Sequence, residues 1–231
     1  LLTVVVILVV SAALMLGAAW GIYGSLPEKA EGFIVALAGG ALIISVVLEL
    51  VRPATEQAPI WAVSLVVLLG AIVFAVLDRW VNTRWDSDSG GGLLAAITLD
   101  GVPENMALGV ALIGAGPLQV AALSGSIFLS NLPEAAGGAK QMSSGGASNG
   151  KVFALWSATA GLLSVAALGG NLLLAGVPAA ALALIRCFAG GAVVASLATE
   201  VFPKAFKQDS YTTGVAAAGG LILALVLDQL G

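Results

Sequence analysis

Residues 39–54 read GGALIISVVLELVRPA, and residues 190–205 read GGAVVASLATEVFPKA. The two align without gaps, pairing Gly39 with Gly190, Gly40 with Gly191, Ala41 with Ala192, Ser45 with Ser196, Glu49 with Glu200 and Ala54 with Ala205. Apolar helices rich in Gly and Ala resemble one another by composition alone, because small residues let membrane helices pack closely. Two glutamates at the same place are harder to assign to composition, since acids are rare within membrane spans. The direction in which each copy crosses the membrane therefore decides the fold.

The chain of 231 residues is 59% hydrophobic and only 10% charged, with a mean hydropathy of +1.06. That is the composition of an integral membrane protein. A hydrocarbon core about 30 Å thick needs roughly 20 apolar helical residues. Eight spans of that kind can be drawn, at 2–24, 31–51, 60–80, 92–114, 117–138, 152–175, 178–203 and 211–230. The first lacks the charged start of a signal peptide and is longer than such a peptide's apolar core, so it reads as a true span. The fold class is an all-α membrane protein.

Positive residues orient the spans. Connections after spans 1, 3, 5 and 7 carry Lys29, Arg79, Arg84, Lys140, Lys151, Lys204 and Lys207; the opposite side has Arg52 and, just inside span 7, Arg186. Both termini are then outside, span 2 runs outward and span 7 inward, and the repeated sequence appears upside down. Paired segments of this kind mark inverted-repeat transporters, whose sites lie near mid-membrane where Pro or Gly interrupts the helices. The plan is a single transmembrane transporter domain over 1–231, with inverted repeats at 1–80 and 152–230 around a central helix pair at 92–138, or 3+2+3. In it the Gly pairs 39–40 and 190–191 should let their helices slide against spans 4 and 5. The connection QMSSGGASNG, 141–150, reads as a flexible cytoplasmic loop, and RWVNTRWDSDSGGG, 79–92, as an interfacial elbow. The pairs Glu28/Lys29 and Lys204/Lys207 read as interface anchors.

The central pair carries the chemistry. Residues 97–109 are ITLDGVPENMALG and residues 127–138 are IFLSNLPEAAGG. Each places a Pro and a Glu inside an apolar span. Asp100 and Glu104 are four apart and share a helical face, as do Ser130 and Glu134. Asn105 and Asn131 add amide oxygens, and Pro103 and Pro133 withdraw the hydrogen bonds that would otherwise engage the carbonyls of Leu99 and Leu129. Neither segment contains a Lys or Arg. Buried acids without a basic partner call for protons or a cation. An all-oxygen set suits Mn, Mg or Ca, with Zn through carboxylate oxygen. The competing reading is that the acids are protonated and bonded across helices. Glu49 and Glu200, near the outer and inner ends of their spans, are pathway or gate positions or simply solvated acids, and Asn105 joins them as a pathway position.

With no His and one Cys, imidazole chemistry, catalytic triads, thiolate metal sites and disulfides are excluded within one chain. Cys187 reads as a small core residue. The scattered cations give no nucleic-acid surface.

These features resemble the ZIP family of divalent metal transporters. Its members have eight spans, and their fourth and fifth spans carry His-Asn-x-Pro-Glu-Gly and His-Glu-x-Pro-Glu-Gly patterns that hold the metal. Here Asp100, Gly101, Val102, Pro103, Glu104, Asn105 and Ser130, Asn131, Leu132, Pro133, Glu134, Ala135 keep the Pro and Glu of each. Asp100 and Ser130 stand at the His positions, Gly101 and Asn131 at the positions that follow. The resemblance covers essentially the whole chain. It implies a divergent bacterial-type member in an inner (plasma) membrane, moving a divalent cation (Zn, Mn, Fe or Cd) as transported substrate with no organic cofactor, a homodimer being left open. Asp100, Glu104, Ser130, Asn131 and Glu134 are the metal ligands it implies. The family's second metal uses the Asn of span 4 and acids of spans 5 and 6; with Gly101, Asn131 and no acid in span 6, one metal is expected. The alternatives to a transporter are a non-transporting metal sensor or receptor and a proton-coupled solute carrier, and an enzyme is not expected.

Overall fold

The structure, a computed structural model, describes residues 2–24, 27–84, 90–116 and 120–230, with the side chains of residues 90–97, 100 and 230 excepted. Every regular element among them is helical. The helices are α1 (Leu2–Tyr23), α2 (Glu28–Ser45), α3 (Ile60–Arg84), α4 (Gly90–Ala111), α5 (Ala121–Ser144), α6 (Asn149–Leu174), α7 (Ala179–Ser196), α8 (Phe202–Gln208) and α9 (Thr213–Leu230). A helix stands at each expected span. Five are long and apolar enough to cross a membrane by length and composition: Leu2–Tyr23, Glu28–Glu56, Ile60–Arg84, Asn149–Leu174 and Ala179–Gln208. The protein is thus an all-α integral membrane protein. α4 and α5 are diluted by the polar residues around Pro103 and Pro133, and the apolar run Thr213–Gln229 in α9 is shorter.

The repeated segments take the same irregular shape. α2 continues into a π-helical turn over Val46–Val51, and α7 into one over Leu197–Val201. In the first, the Arg52 N–H reaches five residues back to the Val47 carbonyl at 2.8 Å. A proline follows each turn, Pro53 opening a 3₁₀ turn over Pro53–Glu56 and Pro203 entering α8. A proline ring crowds the carbonyl four residues before it, which an ordinary α-turn cannot relieve. The likeness also reaches further back than the sequence comparison took it. Pro27 precedes α2 and Pro178 precedes α7, both in extended conformation, 151 residues apart like the rest.

Glycine-to-carbonyl contacts join the helices. A Cβ on Gly40 would run into the Ala217 carbonyl of α9, and one on Gly191 into the Val67 carbonyl of α3. Reciprocally, Gly220 lies against the Leu37 carbonyl and Gly70 against that of Phe188. α2 thus packs on α9 as α7 packs on α3. In the rest of the bundle, Gly21 of α1 lies against the Ala136 carbonyl of α5, and Gly170 of α6 against that of Met106 in α4. The expectation that the Gly pairs face spans 4 and 5 is therefore corrected. Gly40 and Gly191 are consumed by α9 and α3, while Gly39 faces Phe202 and Gly190 faces Val46.

Two further expectations change. The stretch 141–150 is mostly helix: α5 runs on to Ser144 because Met142 is buried against Val152 and Trp156, and α6 begins at Asn149 with the Ser148 hydroxyl accepting from the Lys151 N–H at 3.4 Å. Only Gly145–Ser148 connects them, with Gly146 at φ +89°, a conformation glycine adopts without strain. In the expected elbow, residues 79–84 are the end of α3, where the Arg84 guanidinium lies 5.5 Å from the centre of the Trp80 ring; residues 85–89 are outside the described residues. Cys187 is buried among Ala54, Val63 and Ala183, as expected of a core residue. Between α8 and α9, Asp209 accepts from the Thr212 hydroxyl at 2.6 Å and from the Tyr211 N–H at 3.2 Å, and the Thr212 bond chiefly holds its carboxyl below the usual range.

Gly40→Ala and Gly191→Ala should each destabilise the protein by about 1–3 kcal/mol, since a carbonyl on a packed helix cannot yield to a methyl group. Gly161→Ala, with nothing within 4 Å of the added carbon, should be neutral or stabilising by about 0.5 kcal/mol. Thermal unfolding in detergent, followed by helical circular dichroism, distinguishes the two classes; equal melting temperatures for all three variants would contradict the contacts.

Candidate functional site

Pro103 and Pro133 sit inside α4 and α5, and both helices continue through them. Around these prolines the polar residues turn inward. Glu104, Asn105, Ser130 and Asn131 are all buried, and Glu134 is half-buried. The Asn105 amide donates to the Gly101 carbonyl of its own helix at 2.9 Å, so its nitrogen is occupied locally. Asn131 is 2% exposed, and its amide nitrogen has no hydrogen-bond partner. A buried amide nitrogen left unpaired is costly, and as a donor it calls for a hydrogen-bond acceptor. The side chain of Asp100 lies outside the described residues, so its spacing with Glu104 has no described geometry. Among the described residues no three acidic or thiol side chains gather in a group that could hold a metal ion; of the expected ligand set, Glu104 and Glu134 are the described carboxylates.

Glu49 does something its sequence position did not reveal. One of its carboxylate oxygens accepts the Leu123 N–H at 2.8 Å, in the first turn of α5. The first N–H groups of a helix lack partners within it, and a carboxylate there also meets the positive end of the helix dipole. Its other oxygen is buried without a hydrogen-bond partner, and Asp228 of α9 lies within electrostatic reach. At the same end of the central pair Arg186 of α7 donates to the Val110 carbonyl of α4 at 2.9 Å, one residue before that helix ends. Opposite charges on α2 and α7 thus hold the start of α5 and the end of α4.

Glu200, the repeat partner of Glu49, lies close to Asp78 and Asn82 of α3. Asn82 also donates to Asp78 at 2.8 Å. Asp78 and Asp228 lie 150 residues apart, one short of the 151 that relates Glu49 to Glu200, and each π-helical glutamate lies within the field of an acid of the helix packed beside it. Glu200 also lies within the field of Glu134, which brings one expected gate position toward the central pair.

A cation does reach these acids, contrary to the reading of α4 and α5 as having none opposed to them. Lys204 of α8 forms an ion pair with Glu31 of α2 at 3.1 Å, and its charge acts on Glu134. The two segments contain no Lys or Arg, but the fold supplies one from 70 residues further on. Lys204 is therefore more than an interface anchor, and Glu31, buried at 5% exposure, is an acid the sequence reading passed over. An acid one turn after Pro27, at the start of an apolar run, was the available signal.

A cavity of 170 Å³ lies elsewhere, lined by Pro53, Glu56, Leu182 and Arg186 among others, with none of the expected metal ligands in its wall. No protein-family model matches the chain, and no curated protein matches it.

Replacing Glu49 by Ala should leave the Leu123 N–H without its acceptor and weaken the start of α5 by about 1 kcal/mol, the usual size of a lost cap. Hydrogen exchange by mass spectrometry should then show faster exchange over residues 121–125 and unchanged exchange in α6. Equal protection of residues 121–125 in both proteins would mean that the carboxylate does not hold the helix.

Proposed function

We propose that the protein is a secondary transporter of divalent cations, built as eight spans in a 3+2+3 inverted repeat and related to the ZIP family. The observation that carries the reading is the pairing of contacts across the repeats: Gly40 on Ala217 with Gly191 on Val67, and Gly220 on Leu37 with Gly70 on Phe188. Inverted repeats around a central site are a common architecture of secondary transporters. The π-helical turns and prolines at equivalent places in α2 and α7 support the same plan.

The cation belongs between α4 and α5, with Glu104 and Glu134 as charged ligands, Asp100 as a third, and Ser130 and Asn131 as neutral ones. Burial of Glu104, Ser130 and Asn131 beside the two prolines supports this placement. Oxygen donors of this kind suit Mn and also accommodate Zn, Fe or Cd. One ion is held rather than two. Gly101 stands where the family's Asn ligand would, and a Cβ there would meet the Leu163 side chain of α6. The membrane is a bacterial plasma membrane with both termini outside, as the distribution of Lys and Arg supports.

A second reading is a proton-coupled carrier of an organic solute. Lys204 beside Glu134 favours it, because such a solute needs a cationic or hydrogen-bonding group near the acids. That ammonium is already engaged by Glu31 at 3.1 Å, which leaves the cation reading ahead.

Purified protein in liposomes should take up Mn, Zn, Fe or Cd, and Glu104→Ala should reduce that uptake at least about tenfold, the loss expected when a charged ligand is removed. Correctly inserted protein that moves none of the four ions would overturn the proposal. Flux that survives Glu104→Ala would keep transport and reject the site.

A further inference from the structure

The two ends of the bundle differ where the repeat would make them alike. Glu31 and Lys204 meet as an ion pair at 3.1 Å. The positions related to them by the 151-residue spacing are Leu182 and Pro53, and those two line the 170 Å³ cavity. One end is closed by charge, and the other holds a gap.

The charged end is built against α5. Glu31 exposes only 6% of its side chain, and a Cβ on Gly137 would run into its carboxylate. The carboxylate therefore rests on bare α5 backbone, three residues and about one turn from Glu134. Lys204 reaches this point from α8, and its charge bears on Glu134 as well. Glu134 in turn lies within the field of Glu200, which is close to Asp78 and Asn82. The Lys204 ammonium thus pairs with Glu31 about one turn along α5 from Glu134.

Carboxylates removed from water need a compensating positive charge. A divalent cation on Glu134 would supply that charge twice over and would repel an ammonium at close range. Resting on the cation-transport reading, we propose that Lys204 is a tethered counter-cation, neutralising Glu134 and Glu31 in the empty carrier and competing with the divalent ion for Glu134. Lys204 is a positioning residue that acts through the two carboxylates. It lowers cation affinity and speeds release. Because its counterpart in the other repeat is Pro53, this assistance operates at the α8 end alone, and the carrier is asymmetric in spite of its repeats.

The test is Mn uptake into liposomes by the unmutated protein, Lys204→Gln, Lys204→Arg and the double variant Glu31→Gln/Lys204→Gln. Lys204→Gln should lower KM about three- to tenfold, the effect of removing one competing charge at close range, and should lower kcat by a similar factor because release slows. Lys204→Arg should restore both constants. The double variant leaves no unpaired carboxylate at position 31 and should fold where Lys204→Gln fails, with the same low KM. An unchanged or raised KM in the neutral variants, or an arginine that does not restore the kinetics, overturns this inference while transport stands. Absence of flux in the unmutated protein overturns the transport reading and this inference with it.

Discussion

Close approach of helix backbones is the constraint on which the structure depends. Between lipid-facing helices the hydrophobic effect offers little, since lipid tails are as apolar as leucine, and association rests on van der Waals contact and on hydrogen bonds. Gly40, Gly70, Gly191 and Gly220 bring helix surfaces onto carbonyls of their neighbours, and so do Gly21, Gly109 and Gly170 in the rest of the bundle. These contacts arrange the helices in two sets, α2 with α9 and α3 with α7 in one, α1 with α5 and α4 with α6 in the other. Larger side chains then fill what remains. Trp156, fully buried, packs with Leu14, Met142 and Leu163, while Leu42, Leu108, Ile127 and Leu197 form the core where both sets meet.

Charge within this apolar frame is tied to particular partners. Glu31 has Lys204, Glu49 has the amide of Leu123, and Arg186 has the carbonyl of Val110. An isolated charge at mid-membrane is expensive, and each of these contacts offsets part of that cost. Two of them fall on ends of the central helices, where unpaired backbone groups and the helix dipole receive a charge of the right sign. The same side chains thereby join the two sets of helices, so holding a charge and positioning α4 and α5 are one physical event. Beside Pro133, the Asn131 side-chain nitrogen is buried with no hydrogen-bond partner.

Much of this was legible from residue order. Span-length apolar stretches predicted a helix at every position where one stands, because hydrophobic length is a local property. The likeness of 39–54 to 190–205 goes with matched π-helical turns, Gly and Glu standing at equal spacing in both copies and a proline following one position earlier in the second. The loop at 141–150 misled, its Gly and Ser outweighing one buried methionine, and the Gly pairs were assigned to the wrong neighbours. Periodicity tells which face of a helix is small but not which helix it meets.

The sequence by itself determined that this is an all-helical membrane protein, that two of its segments repeat and that acids lie beside prolines in two central spans. Each of these is a property of residue type and spacing along one stretch of chain. Tertiary structure alone decided that Lys204 pairs with Glu31, that Glu49 holds the start of α5 and that Gly40 and Gly191 are closed by α9 and α3. Such pairings join residues up to about 180 positions apart, and the bonds concerned are made only when helix packing brings the two surfaces together.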